Sequence, residues 1–197
     1  RSKKGKNPAN SIWLWGQGKK PSLPSFKDKF GIDAAMVSAV DLTKGIGIYA
    51  GMEILNVPGV TGYIDTNYIG KAEYSLKALE RVDLAYIHVE APDEASHSGN
   101  LKDKIKAIED LDALVVGTVL RGIKSFDEYK ILLLPDHPTP IELKTHTAEP
   151  VPFVIYDSRE KKKSDAKFDE SIADRKDILR FEEGHKLMEY FIKGDSK

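Results

Sequence analysis

Short apolar runs alternate along this chain with amphipathic helical patterns, and this alternation constrains the fold more than any other feature. The apolar runs predict buried strands at residues 34–40, 84–89, 131–134 and 151–156. The helical patterns span residues 43–52, 67–81 and 101–116. Because strands that alternate with helices favour a parallel sheet, we expect an α/β fold with a mostly parallel sheet.

The two ends of the chain are less regular. Residues 1–10 mix basic residues with Gly, Asn and Pro, which is typical of a solvated connector. Residues 11–15 (SIWLW) predict a short strand before a glycine turn. Residues 158–167 are dense in charge and predict an exposed loop, whereas residues 177–192 predict a terminal amphipathic helix.

The composition is that of an ordinary globular protein. Of the 197 residues, 41% are hydrophobic, which is enough for one domain with a substantial core. The formal net charge of -1 provides no general basic field, so we expect no nucleic acid and no membrane surface as partner. Because no apolar run reaches about 18 residues and the basic start lacks a secretory signal, we expect a cytoplasmic protein.

Five potential metal ligands follow the ends of apolar runs. They are Asp93, His97, Asp136, His137 and His146. Pro92 is expected to end the strand at 84–89, so residues 93–99, which carry the first two, are predicted as a loop. The carboxyl ends of parallel strands meet at one edge of a sheet, so we expect these side chains to converge there. The chain has no cysteine, which leaves histidine and carboxylate as the strong ligands and suits Mn, Mg or Zn. Five ligands fit a site for two metal ions better than a site for one.

Each histidine and aspartate also has a purely structural interpretation. Taken singly, Asp136 could be a turn residue and His146 a surface residue, but together these explanations account poorly for the pattern. His88 lies inside an apolar run, where a hydrogen-bonded structural histidine is the better interpretation. His185 lies on the charged terminal pattern and is expected in solvent. We therefore leave His88 and His185 out of the predicted site.

Other segments suggest phosphate binding or a hydrolase. The turn at residues 16–20 (GQGKK) could present backbone N–H groups and ammonium charge to a phosphate, but it lacks the P-loop spacing, and a solvated turn explains it equally well. Lys44, near the start of a predicted helix, has the same status. Ser98 beside His97 suggests a Ser-His-Asp site, yet adjacent side chains point apart and no G-x-S-x-G motif surrounds it.

Several longer motifs carry a resemblance to a known family. They are APDEASHSGN at 91–100, LPDH at 134–137, THTAEPVPF at 145–153, LWGQGKKPSLPSF at 14–26 and GVTGYIDTNY at 59–68. In this combination the chain resembles cofactor-independent (2,3-bisphosphoglycerate-independent) phosphoglycerate mutase of the archaeal type, in the alkaline phosphatase superfamily. The resemblance implies a three-layer, alkaline-phosphatase-like α/β core, incomplete here because the family's N-terminal part is absent.

The resemblance also implies cofactors and roles for individual residues. Two divalent metal ions would be bound, most often Mn, with Mg, Zn and Co as alternatives. Asp93, His97 and His146 would hold one ion, and Asp136 and His137 would help to hold the other. Lys44 would contact the substrate phosphate.

The implied activity is that of a parent enzyme. It would interconvert 3-phosphoglycerate and 2-phosphoglycerate, in glycolysis and gluconeogenesis, through a phosphoserine intermediate. The family's serine nucleophile is not found in this chain, so no catalytic residue is assigned and we expect this part alone to be inactive. Residues 1–10 would be a connector from a missing inserted domain, and residues 11–197 the C-terminal part of the catalytic domain.

Expected partners follow from the same comparison. They are the phosphoglycerate substrate, the missing N-terminal part of the enzyme and further copies of the chain, because a chain cut from a doubly covered sheet exposes apolar surface. Two other functions stay open. One is a phosphatase or phosphotransferase of the same superfamily, for example one that phosphorylates homoserine, and the other is a non-catalytic metal-binding module.

Overall fold

The computed structural model describes residues 1–14, 16–160 and 167–194. The strands are β1 (Ala34–Val37), β2 (Glu53–Ile54), β3 (Leu84–Ile87), β4 (Lys130–Leu133) and β5 (Val154–Asp157). The α-helices are α1 (Phe26–Phe30), α2 (Asp41–Tyr49), α3 (Tyr68–Ala78), α4 (Ala91–His97), α5 (Leu101–Asp110), α6 (Gly117–Gly122) and α7 (Lys186–Lys193). A π-helical segment, Leu111–Val116, joins α5 to α6, and 3-10 turns lie at Ser2–Lys4, Ile123–Ser125 and Glu170–Asp174.

The central sheet is parallel and has the strand order β2-β1-β3. Ala35 of β1 lies between Glu53 of β2 and Ala85 of β3. All four residues of β1 are buried, as expected for the middle strand of a sheet that is covered on both faces. The predicted α/β class and parallel sheet are therefore confirmed.

Helices cover both faces of this sheet and produce three layers. On one face, Val37 packs in a core with Ala78 of α3. On the other face, α2 lies so close that a β-carbon at Gly47 would be 3.0 Å from the sulfur of Met36 and from a terminal carbon of Ile54. A glycine at this position is what allows the helix to approach the sheet.

A second core holds α4 against α3 and α5. Its buried residues are Tyr68, Ala72, Ala91, Ala107 and Val115. Three of the five are alanines, which let the helix backbones come close together. Ile87, the last residue of β3, packs against both cores and so connects α4 to the edge of the sheet.

Strands β4 and β5 form a separate antiparallel pair, with Ile131 opposite Tyr156. Within the described residues, neither strand pairs with the parallel sheet. Lys130 Nζ donates a hydrogen bond to the carbonyl of Phe191 at 3.2 Å, which ties β4 to α7. The strands predicted near 131–134 and 151–156 therefore exist, but they form a separate two-stranded sheet.

The loop predicted at residues 93–99 is wrong, because most of it belongs to α4. Pro92 lies in the first turn of this helix. There a proline has no intrahelical hydrogen bond to lose, and its fixed φ angle suits the helix. Pro92 therefore starts the helix that carries Asp93 and His97.

The strand predicted at residues 11–15 is wrong where it is described, and the helix predicted at residues 177–192 is shorter than expected. Residues 11–14 have no regular structure, and Ile12 and Trp13 are 88% and 87% exposed, with no strand beside them in the described part of the chain. Trp15 lies outside the described residues. The terminal helix begins only at Lys186, after Gly184. Glycine disfavours a helix interior, which accounts for the shorter helix.

The charged loop predicted at 158–167 is described only in part, because residues 161–166 lie outside the described residues. None of the helices in the described ranges combines the length and the apolar character that a membrane span requires.

Candidate metal centre

Helix α4 presents two of the predicted ligands on one face. Asp93 and His97 are four residues apart, which is about one helical turn. The Oδ2 atom of Asp93 lies 3.2 Å from Nε2 of His97. The predicted spacing thus becomes a preformed pair, held by a helix rather than by a loop.

His146 completes a group of three. Its Nε2 atom lies 3.3 Å from Oδ1 of Asp93 and 3.1 Å from Nε2 of His97. The ligand atoms of the three residues all lie within 4.8 Å of one another. An ion bound at about 2.0–2.2 Å holds neighbouring ligand atoms about 3.0–3.5 Å apart, so these separations fit a divalent cation.

A hydrogen bond to the backbone determines which ring nitrogen of His97 carries the proton. Its Nδ1 atom lies 2.9 Å from the carbonyl oxygen of Lys144, and a carbonyl can only accept. Nδ1 therefore carries the proton, and in the neutral ring the lone pair of Nε2 faces Asp93 and His146. This backbone hydrogen bond is the main reason that the pKa of His97 is raised, with Asp93 as a further cause. Metal-binding histidines are commonly oriented in this way.

Thr139 fixes both Asp93 and His137. Its hydroxyl donates to Oδ1 of Asp93 at 2.5 Å and lies 3.2 Å from Nδ1 of His137. Because the hydroxyl has one proton, which goes to Asp93, Nδ1 of His137 must donate to Thr139. The lone pair of neutral His137 is then on Nε2.

Asp136 and His137 lie beside the group of three but are not part of it. The ring of His137 stacks on that of His146, with centroids 3.8 Å apart. Its Nε2 atom lies 3.6 Å from Oδ2 of Asp136, whose side chain is exposed. Among the described residues, only Asp93, His97 and His146 meet as a group of three close ligands.

His88 belongs to this neighbourhood, although the sequence indicated only a structural role. Its predicted hydrogen bond exists: Nδ1 lies 3.1 Å from Oγ of Ser38, at the end of β1. Burial is the main cause of its lowered pKa, and the largest opposing influence is the negative charge of Asp136. The rule that located the other ligands, a position at the carboxyl end of a strand, also applies to His88.

The hydrogen bonds around Ser38 place the proton of His88. Thr43 donates to the carbonyl of Val40 at 2.9 Å, so it accepts from Ser38, which lies 2.6 Å away. Ser38 in turn accepts from the backbone N–H of Val40 at 3.0 Å. To satisfy every contact, Nδ1 of His88 must donate to Ser38, which leaves the Nε2 lone pair of the neutral ring free.

Lys71 is a second residue that the sequence analysis missed. It has no exposed surface, and its Nζ atom donates to the carbonyl of His88 at 2.7 Å. Burial lowers the pKa of Lys71 to about 8, and the nearby carboxylate of Glu90 partly offsets this effect. A helical pattern that places Lys71 on the same face as buried Ser75 and Ala78 was the available signal.

The predicted phosphate contacts are not members of the group of three. Lys44 forms an ion pair with Asp41 at 2.8 Å and lines a cavity of about 320 Å³, which it shares with Ser38. All residues of the turn at 16–20 are exposed. His185 is exposed as predicted, with 69% of its side chain accessible.

The relatives of this chain are matched over only part of their own length. A probable 2,3-bisphosphoglycerate-independent phosphoglycerate mutase of Geobacter sulfurreducens is 54% identical over 193 residues, which is 98% of this chain and 48% of that protein. A 2,3-bisphosphoglycerate-independent phosphoglycerate mutase of Methanosarcina acetivorans is 57% identical over 157 residues, 79% of this chain and 40% of that protein. The chain thus spans about half the length, or less, of these relatives.

A solved structure agrees with the sequence comparison. A protein of Pyrococcus horikoshii superposes with a TM-score of 0.70 at 30% identity, over 76% of this chain and 45% of its own. The model of the metalloenzyme superfamily matches residues 3–183, which include all five predicted ligands. The chain therefore belongs to the metalloenzyme superfamily.

Proposed function

We propose that this chain is the C-terminal, metal-binding part of a 2,3-bisphosphoglycerate-independent phosphoglycerate mutase. The intact enzyme would interconvert 3-phosphoglycerate and 2-phosphoglycerate, a step of glycolysis and gluconeogenesis. The observation that carries the proposal is the convergence of Asp93, His97 and His146, with Nε2 of His97 free to coordinate. Relatives with the mutase name are more than half identical to the chain, which supports the same activity.

The donor set suits Mn²⁺. Asp93 contributes carboxylate oxygen and the two histidines contribute imidazole nitrogen, a mixture that divalent Mn, Zn and Co accept. We propose Mn²⁺ as the resident ion of this group. Asp136 and His137 would help to hold a second ion, because Nε2 of His137 and Oδ2 of Asp136 lie 3.6 Å apart, near the separation that a shared cation requires.

Two bound cations would supply the positive charge that phosphoryl transfer requires. The chain's own side chains then have distinct tasks. Asp93, His97 and His146 would hold one ion, and the hydrogen bond from Thr139 orients Asp93 for it. Lys44, at the cavity beside Ser38, would contact a phosphate oxygen. Lys44 is paired with the exposed carboxylate of Asp41 at 2.8 Å.

The direct test uses the intact enzyme that contains this chain. With Mn²⁺ and without added 2,3-bisphosphoglycerate, it should convert 3-phosphoglycerate to 2-phosphoglycerate. His146→Ala should remove nearly all of this activity, whereas His185→Ala, an exposed histidine outside the site, should leave it unchanged. Robust activity of His146→Ala, or full activity after chelation of divalent ions, would rule out the proposal.

Exposed apolar side chains support the proposal that another polypeptide segment covers part of this surface. Ile12, Trp13 and Leu14 are 73–88% exposed, and Leu42 and Ile48 of α2 are 72% and 63% exposed. Apolar groups exposed to this extent promote association. We propose that the chain alone forms homo-oligomers or retains a partner segment. A monomer at all concentrations in light scattering would contradict this.

A further inference from the structure

We propose that Lys71 and Lys104 are positioning residues, which hold the two ligand-bearing segments of the metal centre in place. Each lysine extends from a helix behind the site and donates to a backbone carbonyl at the base of one segment. The proposal rests on the metal centre proposed above, and it concerns how the ligands are held before any ion binds.

Lys71 holds the junction between β3 and α4. The last pair of the β1–β3 ladder is Val37 with Ile87, and the N–H of His88 donates to Val37 at 2.9 Å. The carbonyl of His88 lies beyond the ladder, so it lacks a sheet partner. Lys71 Nζ supplies the donor at 2.7 Å. Both backbone polar groups of His88, its N–H and its carbonyl, are thereby hydrogen-bonded, five residues before Asp93.

The burial of the charged Lys71 side chain is unfavourable unless its contacts compensate for the lost hydration. An ammonium group without solvent loses several kcal/mol of hydration. Within the described residues, the one hydrogen bond that the structure gives Nζ of Lys71 is to the His88 carbonyl, and Glu90 contributes a nearby negative charge. A neutral side chain could fill the same space, so the fixed carbonyl is what the lysine adds.

Lys104 performs the equivalent task for the second segment. From α5 its Nζ atom donates to the carbonyl of Thr139 at 2.8 Å. The hydroxyl of Thr139 donates to Asp93 at 2.5 Å, and the N–H of Thr147 donates to the carbonyl of Pro138 at 3.1 Å. The position of Thr139 therefore influences Asp93 directly. It influences the segment that bears His146 through the hydrogen bond between Thr147 and Pro138.

The two contacts act on the same three residues through different segments of the chain. Lys71 sets where α4 begins, and so where Asp93 and His97 lie. Lys104 sets where the segment around Thr139 lies, and so how the Asp93 carboxylate is turned. Outer partners of metal ligands commonly change metal affinity by about 10- to 100-fold when they are removed. We expect effects of that size for both lysines.

The test compares three methionine variants that keep the length of the side chain and remove its donor. Lys71→Met and Lys104→Met remove the two proposed contacts. Lys130→Met is the matched control, because Lys130 also donates to a backbone carbonyl, that of Phe191, but lies at the start of β4, whereas Asp136 and His137 follow the end of that strand. Mn²⁺ affinity is measured by titration calorimetry, and backbone mobility by hydrogen–deuterium exchange of the metal-free protein.

We expect both site variants to weaken Mn²⁺ binding about 10- to 100-fold, while Lys130→Met changes it less than twofold. In metal-free protein, exchange should increase at residues 88–98 in Lys71→Met and at 136–146 in Lys104→Met. Unchanged exchange in those segments and unchanged affinity would overturn the inference. If Lys71→Met does not fold, Lys104→Met decides alone. If the unaltered chain binds no Mn²⁺, the metal proposal fails, and the exchange data still decide this one.

Discussion

Charged side chains are buried to different degrees in the parallel-sheet region and in the terminal region, which consists of β4, β5 and α7: Lys71 has no exposed surface, whereas Lys130, which also donates to a backbone carbonyl, has a side chain that is 25% exposed. In the first, buried Lys71 donates to a backbone carbonyl and thereby fixes a segment of chain. In the second, Asp157 pairs with Arg159 and Lys130, and Lys193 pairs with Glu189, on partly or fully exposed surface. Exposed pairs contribute little to stability, whereas a buried donor defines a position.

This difference matches the location of the candidate site. The candidate ligands Asp93 and His97 lie on α4 of the first region, and His146, on the segment between β4 and β5, meets them within a few ångströms. The terminal region holds its strands by pairing and by aromatic contacts such as Phe181 with Tyr190. We infer that rigidity is concentrated where ligands must be placed, and the following predictions test that contrast.

The largest expected effect is on metal affinity. Asp93→Ala should weaken Mn²⁺ binding by more than about 100-fold, because Asp93 touches both other ligands and would itself coordinate. Asp157→Ala, a partly buried aspartate of the terminal region, should leave Mn²⁺ affinity unchanged. Titration calorimetry of both variants measures the contrast. Equal losses of affinity would show that the two regions are not distinct in this respect.

The second prediction concerns pH. Folding lowers the pKa of Lys71 from 10.5 to about 8, so between these values the unfolded chain binds more protons at this position than the folded chain. The free energy of unfolding should therefore rise with pH from about 8 to 10.5, by at most about 3 kcal/mol. Urea unfolding of the unaltered chain and of Lys71→Met measures this difference. An identical pH slope in both proteins would contradict the assignment.

The smallest effect is expected in the terminal region. Hydrogen bonds from Arg159 hold the pKa of Asp157 well below its usual range. A lowered carboxyl pKa stabilises the fold above about pH 4, and the contribution is lost as the pH falls further. Asp157→Asn should therefore reduce stability by only about 1 kcal/mol at pH 7, because the partner Arg159 is half exposed.

Thermal unfolding at several pH values checks this prediction. The difference between Asp157→Asn and the unaltered chain should shrink as the pH falls below about 4. A difference that stays constant down to pH 2 would mean that the Asp157 charge is not the cause. The same series on Asp177→Asn, an exposed aspartate paired with Arg175, provides a control with a smaller expected change.

Local patterns, the apolar runs and the polar residues that follow them, predicted the parallel sheet and the convergence of candidate ligands at its edge. The grouping of Asp93, His97 and His146 came from the family resemblance, because His146 follows no strand of the parallel sheet. Asp93 and His97 were also one helical turn apart in the sequence, although the segment was predicted as a loop. The helix that joins them was missed because Pro92 was taken only as a strand terminator.

The sequence could not predict contacts that depend on packing between distant elements. Thr139 and Lys104 meet across 35 positions of the chain, and Lys71 meets His88 across 17. The helical pattern places Lys71 on the buried face of α3, but no local pattern identifies the carbonyl that this lysine contacts or marks a threonine as a donor to Asp93. The separation of β4 and β5 from the parallel sheet was missed for the same reason, because strand pairing is decided by the whole fold.

The most direct test of the metal centre is anomalous diffraction from crystals of this chain grown with saturating Mn²⁺. The account predicts a Mn peak about 2.0–2.3 Å from a carboxylate oxygen of Asp93 and from the Nε2 atoms of His97 and His146. Mn²⁺ bound only elsewhere, with these three side chains in place and no peak between them, would contradict it.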